Sequence, residues 1–234
     1  MHEIHQFDDF AAARPHLLDL ASAALTSNEP ASLLLSGGSS PIAFYEALAG
    51  GDINWANITA ALVDERWVDP DDKGSNAALV QRHLIDRAAQ PIEFVAMKTE
   101  HATPHEAAAD LNEIYAHLPV PALSVLGMGP DGHTASWFAA APEYDDVSLL
   151  DRTALVGGVT APKNDITGDY QLRMSITARF LDLTRQALLL VNGAARLDIL
   201  KAHLAQPPAA SPIGRAADIL GRRLHIVAVT GGAA

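Results

Sequence analysis

The sequence predicts an α/β fold, with a doubly wound, mainly parallel sheet flanked by helices. Short apolar runs alternate along the chain with longer amphipathic segments. The runs are nearly continuous in apolar residues, which is typical of parallel strands buried on both faces. An alternating strand and helix order predicts an open sheet whose ligand site lies at the carboxyl ends of the strands.

Strands are predicted at 31–36, 58–63, 123–126, 154–159, 187–191 and 224–229. Helices are predicted at 10–26, 41–49, 75–87, 104–117, 194–205 and 216–220. In the first helix, Leu17, Leu18, Ala21 and Leu25 fall on one face, as expected for a helix packed on a sheet. Pro41 suits the first turn of its helix, where no N–H donor is needed.

Length and composition indicate one globular domain. The chain has 234 residues, of which 49% are hydrophobic and 19% charged, values ordinary for a protein with a sizeable core. We predict a single α/β domain over 1–234, with a small excursion around 139–169. The absence of cysteine excludes disulfides, thiol nucleophiles and thiolate metal sites.

The charge balance argues against nucleic acid and anionic membranes as partners. The formal net charge is -12, and no cluster of basic residues stands out. The opening MHEIHQFDDF is not a signal peptide, and no apolar stretch reaches the length of a membrane span. We expect a soluble cytoplasmic protein without an obligate protein partner. An anionic substrate would need a local pocket of basic side chains and backbone N–H groups.

The segment LSGGSSP closes one predicted strand and opens a helix. Gly37 and Gly38 allow a sharp turn and a close approach of the backbone to a ligand. Ser39 adds a hydroxyl donor, and the N–H groups of the following helix favour an anion. A plain strand-to-helix turn has the same appearance, so this motif gains weight only in combination with others.

A second polar cluster, VDERWV, follows the next predicted strand. Arg66 can hold a phosphate or carboxylate through two parallel hydrogen bonds, and Asp64 lies at the same strand end. Asn76, near the start of a predicted helix, is either a helix cap or a substrate ligand. A surface salt-bridge cluster is the alternative explanation of these charges.

The segment LGMGPDGHTASWF places His133 on a glycine-rich turn, two residues after Asp131. A helix capped by Thr134 is expected to follow, and its positive end would disfavour the imidazolium and suit a general base. Asp131 would orient the ring or bind substrate hydroxyls. The spacing also matches a dinucleotide-binding fingerprint, but no long helix and no strand closed by an acid follow it, which argues against a nicotinamide cofactor.

Three arginines are candidate anion ligands. Arg173 begins the segment RMSIT, next to a new element, and Arg196 lies in the segment NGAAR, in the first turn of a predicted helix. With Arg66, each is expected on a loop or at a strand end. Lys163 is a weaker fourth candidate. The histidines lack the spacing of a metal site and no G-x-S-x-G motif is present, so we expect neither a metal or other cofactor nor a serine nucleophile.

In this order, the segments resemble those of the 6-phosphogluconolactonases, relatives of the glucosamine-6-phosphate deaminases. The resemblance covers roughly residues 10–204. It implies the fold shared by that deaminase, ribose-5-phosphate isomerase and the CoA-transferases. The deaminases have a glutamate close behind the shared histidine, whereas this chain reads HTASWFAAAPE. Arg196 stands where the family usually has lysine, which keeps the charge but changes its geometry.

The resemblance implies hydrolysis of 6-phospho-D-glucono-1,5-lactone to 6-phosphogluconate in the oxidative pentose-phosphate pathway. His133 would act as general base, and Arg173 and Arg196, with the turn from Gly37 to Ser39, would bind the phosphate. Two alternatives stay open: a sugar-phosphate isomerase or deaminase of the same fold, and a sugar-phosphate sensor without catalytic activity.

Overall fold

The computed structural model describes residues 2–26 and 29–231, so the remaining ends of the predicted 1–234 domain lie outside the described residues. Across these ranges the chain forms a seven-stranded parallel sheet flanked by helices, and a separate three-stranded antiparallel sheet. The strands are β1 (Ile4–Phe7), β2 (Ala31–Leu35), β3 (Ile58–Leu62), β4 (Asp64–Arg66), β5 (Glu93–Val95), β6 (Pro121–Leu126), β7 (Val156–Thr160), β8 (Leu172–Ile176), β9 (Gln186–Asn192) and β10 (Leu224–Val229).

The helices begin and end close to the predicted positions in most cases. They are α1 (Phe10–Leu25), α2 (Ile42–Ala49), α3 (Asn76–His83), α4 (Pro104–Ala116), α5 (Tyr144–Ser148), α6 (Ala178–Asp182), α7 (Ala194–Leu204) and α8 (Pro212–Leu220). None of the helices within the described ranges is long and apolar enough to cross a membrane.

The parallel sheet has the strand order β1-β10-β9-β6-β2-β3-β5. Every residue of β2, β3 and β6 is buried, as expected for strands covered on both faces. The strand order reverses between β2 and β6, and in sheets of this type the ligand crevice lies at that point, beyond the carboxyl ends of the strands. The predicted mainly parallel α/β fold is therefore confirmed.

The segment predicted as a parallel strand at 154–159 instead forms β7 of the small antiparallel sheet, whose order is β4-β8-β7. The prediction of a parallel strand was wrong because the apolar residues of β7 are buried against α4. They are not buried between two layers of helices, as the strands of the main sheet are. A Cβ at Gly158 would lie 2.7 Å from the backbone nitrogen of His105, at the start of α4. The glycine therefore allows this close packing of helix on strand.

Several element boundaries also differ from prediction. The helix predicted at 75–87 ends at His83, and after Leu84, with φ -126° and ψ -62°, a 3-10 turn covers Ile85–Arg87. The helix predicted at 216–220 begins earlier because the Ser211 hydroxyl accepts from the Gly214 N–H and Pro212 occupies the first turn. The short strands β1, β4, β5 and β8 were not predicted, and neither were the short helices α5 and α6.

Candidate active site

A cavity of about 230 Å³ lies beyond the carboxyl ends of β2, β3, β6 and β9. Nine of the ten predicted site residues line it, although they come from distant parts of the chain. These are Gly37, Gly38, Ser39, Asp64, Arg66, Asn76, His133, Arg173 and Arg196. The tenth, Asp131, contacts the His133 ring from outside the lining. Lys163 does not line the cavity and is exposed, 4.0 Å from Asp169.

His133 and Asp131 form a hydrogen-bonded pair in the site. Nδ1 of His133 lies 2.5 Å from Oδ1 of Asp131. Partial burial opposes ionisation of Asp131, but the hydrogen bond and charge of His133 outweigh it and hold the pKa of this carboxyl below its usual value. A carboxylate accepting from Nδ1–H selects the tautomer in which Nε2 carries the free lone pair.

The glycine-rich turn leaves room for the His133 ring. A Cβ at Gly129 would lie 2.1 Å from Cε1 of His133 and 2.7 Å from Oδ1 of Asp131, so only glycine lets the pair fold back over the turn. Gly132 has φ +81°, and its carbonyl accepts from the Ile213 N–H at 3.0 Å. The spacing that resembles a dinucleotide fingerprint therefore serves the histidine turn.

The helix predicted after His133 is absent, and the expectation that its dipole acts on the ring was wrong. Residues Thr134 and Trp137 instead form an isolated antiparallel bridge, with Ala135 in the left-handed region at φ 48°. Tertiary contacts explain this turn: the Ser136 hydroxyl donates to Oδ2 of Asp64 at 2.6 Å, and Nε1 of Trp137 donates to the Ile176 carbonyl at 2.8 Å.

The turn after β2 packs against Asn76. Oδ1 of Asn76 lies 1.8 Å from where a Cβ of Gly37 would be, so any larger residue would displace the amide. Nδ2 of Asn76 donates to the Asp64 carbonyl at 2.8 Å, whereas Oδ1 is buried and has no hydrogen-bond partner among the residues at 2–26 and 29–231. Gly38 follows with φ +86°. Buried amide oxygens are normally satisfied, and this one is covered by Gly37.

Glu65 holds the loop between β4 and α3. Its side chain is 1% exposed and accepts from the backbone N–H groups of Arg66, Asn76 and Ala77 at 2.7–2.8 Å, and from the Ser75 hydroxyl at 3.1 Å. Burial raises the pKa of this carboxyl despite these donors. The contacts fix two residues of the cavity lining, Arg66 and Asn76, relative to each other.

The three arginines supply the positive charge of the cavity. Within the part of the chain that the structure describes, none of Arg66, Arg173 and Arg196 lies within 4.0 Å of a carboxylate oxygen. Arg173 is 5% exposed, and burial lowers its pKa to about 10. Arg196 donates to the Met128 carbonyl at 3.2 Å. Buried or half-buried cations without an anionic partner are suited to an anionic ligand.

Phe138 is a site residue that the sequence analysis missed. Its ring centroid lies 4.4 Å from that of His133, and Cζ of Arg173 lies 5.8 Å from the same centroid. The buried ring thus supports the histidine and one arginine at once. Ser136 and Glu65 were also missed as site residues, because each acts on a residue far away in the sequence or through the backbone.

The described residues contain no group of three or more histidine, cysteine, aspartate or glutamate side chains arranged to hold a metal ion. The site therefore consists of an imidazole oriented by a carboxylate, three arginines, two glycine turns, and the polar groups of Asp64 and Asn76. Such a set can activate water beside a bound anion.

The chain is similar to known proteins over most of its length. The family model described as glucosamine-6-phosphate isomerases/6-phosphogluconolactonase matches residues 8–224. A 6-phosphogluconolactonase of Xylella fastidiosa is 36% identical over 204 residues, covering 86% of this chain and 84% of the relative. One of Pseudomonas putida is 35% identical over 206 residues, covering 88% and 83%.

Solved structures give the same result. A 6-phosphogluconolactonase from Shewanella baltica superposes with a TM-score of 0.87 and 28% identity, covering 98% of both chains. One from Thermotoga maritima has a TM-score of 0.80 and 26% identity, covering 98% of this chain and all of the other. The resemblance seen in the sequence motifs is confirmed: the chain belongs to the glucosamine-6-phosphate isomerase/6-phosphogluconolactonase family, together with hydrolases of the 6-phosphogluconolactonase type.

Proposed function

We propose that this protein hydrolyses 6-phospho-D-glucono-1,5-lactone to 6-phosphogluconate, in the cytoplasm and within the oxidative pentose-phosphate pathway, with His133 as general base. The observation that carries the proposal is the His133–Asp131 pair in a cavity with three arginines, none of which has a carboxylate oxygen within 4.0 Å among the residues that the structure describes. The relatives from Xylella fastidiosa and Pseudomonas putida, both called 6-phosphogluconolactonase, support the choice of substrate.

In the first step, Nε2 of His133 takes a proton from a water molecule as its oxygen attacks C1 of the lactone. Nδ1–H stays hydrogen-bonded to Asp131, whose negative charge stabilises the imidazolium that forms. The pair of electrons of the C1 carbonyl moves to its oxygen, and donors of one of the two glycine turns hydrogen-bond the resulting oxyanion.

In the second step, the tetrahedral intermediate reforms the carbonyl and the bond from C1 to the ring oxygen breaks. The imidazolium returns its proton to the departing ring oxygen, which becomes the C5 hydroxyl of 6-phosphogluconate. Base catalysis of this kind supplies about 10²–10⁴-fold in rate. A lactone is already a reactive ester, so the step needs no covalent intermediate.

The remaining lining residues bind the substrate in this proposal. Arg173 and Arg196, with the turn from Gly37 to Ser39, bind the phosphate. Its negative charge complements the positive charge of the two arginines. Arg66 and Asp64 position the sugar hydroxyls. Asn76, which also lines the cavity, contributes to the binding of the sugar.

The test compares two substrates. Freshly made 6-phosphogluconolactone and glucosamine 6-phosphate are each mixed with the purified protein, and the spontaneous rate of lactone opening is subtracted. We expect fast lactone hydrolysis and no release of ammonia. Ammonia or ketose formation without lactonase activity would favour an isomerase or deaminase. Saturable binding of 6-phosphogluconate without either reaction would favour a sensor.

A further inference from the structure

The two arginines of the small sheet stand directly opposite each other. Arg66 of β4 pairs with Arg173 of β8 in the antiparallel register, and like charges at such positions repel. Neither has a carboxylate oxygen within 4.0 Å among the residues that the structure describes. The fold must therefore hold the two guanidinium groups in place by other contacts.

One residue, Tyr170, contacts both. Cζ of Arg66 lies 5.8 Å from the centroid of the tyrosine ring, within the range of a cation–π contact. Nε of Arg173 donates to the Tyr170 carbonyl at 2.6 Å. The ring and the backbone of a single residue thus hold both cations on the cavity side of the small sheet.

Tyr170 is itself fixed from the opposite side. Its hydroxyl donates to Oδ1 of Asp72 at 3.0 Å, and the same oxygen accepts from the Gly74 N–H at 2.6 Å. The ring lies against Gly74, where a Cβ would be 2.5 Å from Cζ of the tyrosine. The Gly74 carbonyl in turn accepts from Nη1 of Arg66 at 2.6 Å. Tyr170, Gly74 and Arg66 thus each contact the other two.

We infer that Tyr170 is a positioning residue that aligns Arg66 and Arg173 for the phosphorylated lactone, an inference that rests on the proposed function. It touches neither His133 nor Asp131 through any contact described above, so it acts on substrate binding and not on proton transfer. It is not part of the cavity lining, and its effect passes through the two arginines.

The test measures lactone hydrolysis by wild type, Tyr170→Leu and Tyr170→Phe. Loss of the ring releases Arg66, so Tyr170→Leu should raise KM about fivefold, the equivalent of one cation–π contact. The kcat should stay within about twofold of the wild-type value, and the shape of its pH profile should not change. Tyr170→Phe keeps the ring and the backbone carbonyl, and should return KM to near the wild-type value.

Two further variants separate this role from a purely structural one. In Gly74→Ala the new methyl group must push the tyrosine ring aside, so KM should rise as in Tyr170→Leu although Tyr170 is intact. This variant also decides the question if Tyr170→Leu does not fold. Tyr144→Leu is the matched control, because it removes a ring 5.0 Å from Cζ of Arg215, an arginine outside the cavity lining. Its KM should not change.

The outcomes distinguish the inference from the function on which it rests. An active wild type with unchanged KM in folded Tyr170→Leu and Gly74→Ala, or with a fall in kcat alone, would overturn the positioning role and leave the lactonase proposal intact. A wild type without lactonase activity would overturn both. A rise in KM in the two variants, reversed by phenylalanine and absent in Tyr144→Leu, supports the inference.

Discussion

Replacing Gly129 with alanine tests whether the position of the His133 ring controls the reaction. The new Cβ would lie 2.1 Å from Cε1 and 2.2 Å from Nδ1 of His133, and 2.7 Å from Oδ1 of Asp131. To reach an ordinary contact of about 3.4 Å, the ring must move by roughly 1.3 Å, and the carboxylate must move with it. A displacement of about 1 Å at a catalytic group costs on the order of 10²-fold in rate.

The assay is the initial rate of acid release from fresh 6-phosphogluconolactone, with thermal unfolding followed by circular dichroism. We expect kcat to fall about 10²-fold while KM changes less, because Arg66 and Arg173 are hydrogen-bonded to the carbonyls of Gly74 and Tyr170 and not to this turn. Gly50→Ala is the control: Gly50 has φ -88°, and a Cβ there would meet its nearest atom at 3.8 Å. A folded Gly129→Ala protein with the wild-type kcat would refute the assignment of His133 as the base.

Three other changes test separate parts of the structure. Asp131→Asn should lower kcat by about 10²–10⁴-fold without changing KM, because an amide N–H facing Nδ1 favours the tautomer in which Nε2 is protonated. Glu65→Gln should lower the free energy of unfolding in urea by about 1–3 kcal/mol, since an amide has one acceptor oxygen for four donors. Burial lowers the pKa of His16 and His225 from 6.5, so the unfolded chain takes up protons first as the pH falls. Stability is full above pH 6.5 and declines below it, and the loss of Tm between about pH 7.5 and 5.5 should be smaller in His16→Gln.

Each of these expectations has a result that contradicts it. Full activity of Asp131→Asn would show that the carboxylate does not set the tautomer. An unchanged urea midpoint in Glu65→Gln would mean that the four hydrogen bonds add nothing to stability. An equal loss of Tm in wild type and His16→Gln would exclude His16 as a source of acid sensitivity.

The parallel sheet could be predicted from the sequence because its central strands are nearly continuous runs of apolar residues, which can be recognised without knowing their partner strands. The polar strand β4, of sequence DER, and the three-residue β5 were missed, since their pattern resembles a loop. The error at 154–159 has a different origin: apolarity indicates burial, but it does not say which element provides it. Gly158 makes room for α4 and not for a helix of the main sheet.

The site could be predicted where it depends on strand ends and glycine turns, which are local features of the sequence. It could not be predicted where contacts join distant segments. Ser136 and Asp64 are 72 residues apart, and Tyr170 and Asp72 are 98 apart. The same distant contacts explain the missing helix after His133, because the bond from Ser136 to Asp64 pulls the chain into a turn that local propensity does not favour.

The most direct measurement is the hydrolysis of freshly made 6-phosphogluconolactone by wild type and His133→Ala side by side, with the spontaneous rate subtracted and folding checked by circular dichroism. We predict a fast wild type and a folded variant whose kcat is lower by about 10²–10⁴-fold. Equal rates for the two proteins would leave the lactonase activity standing and contradict the role of His133 as general base.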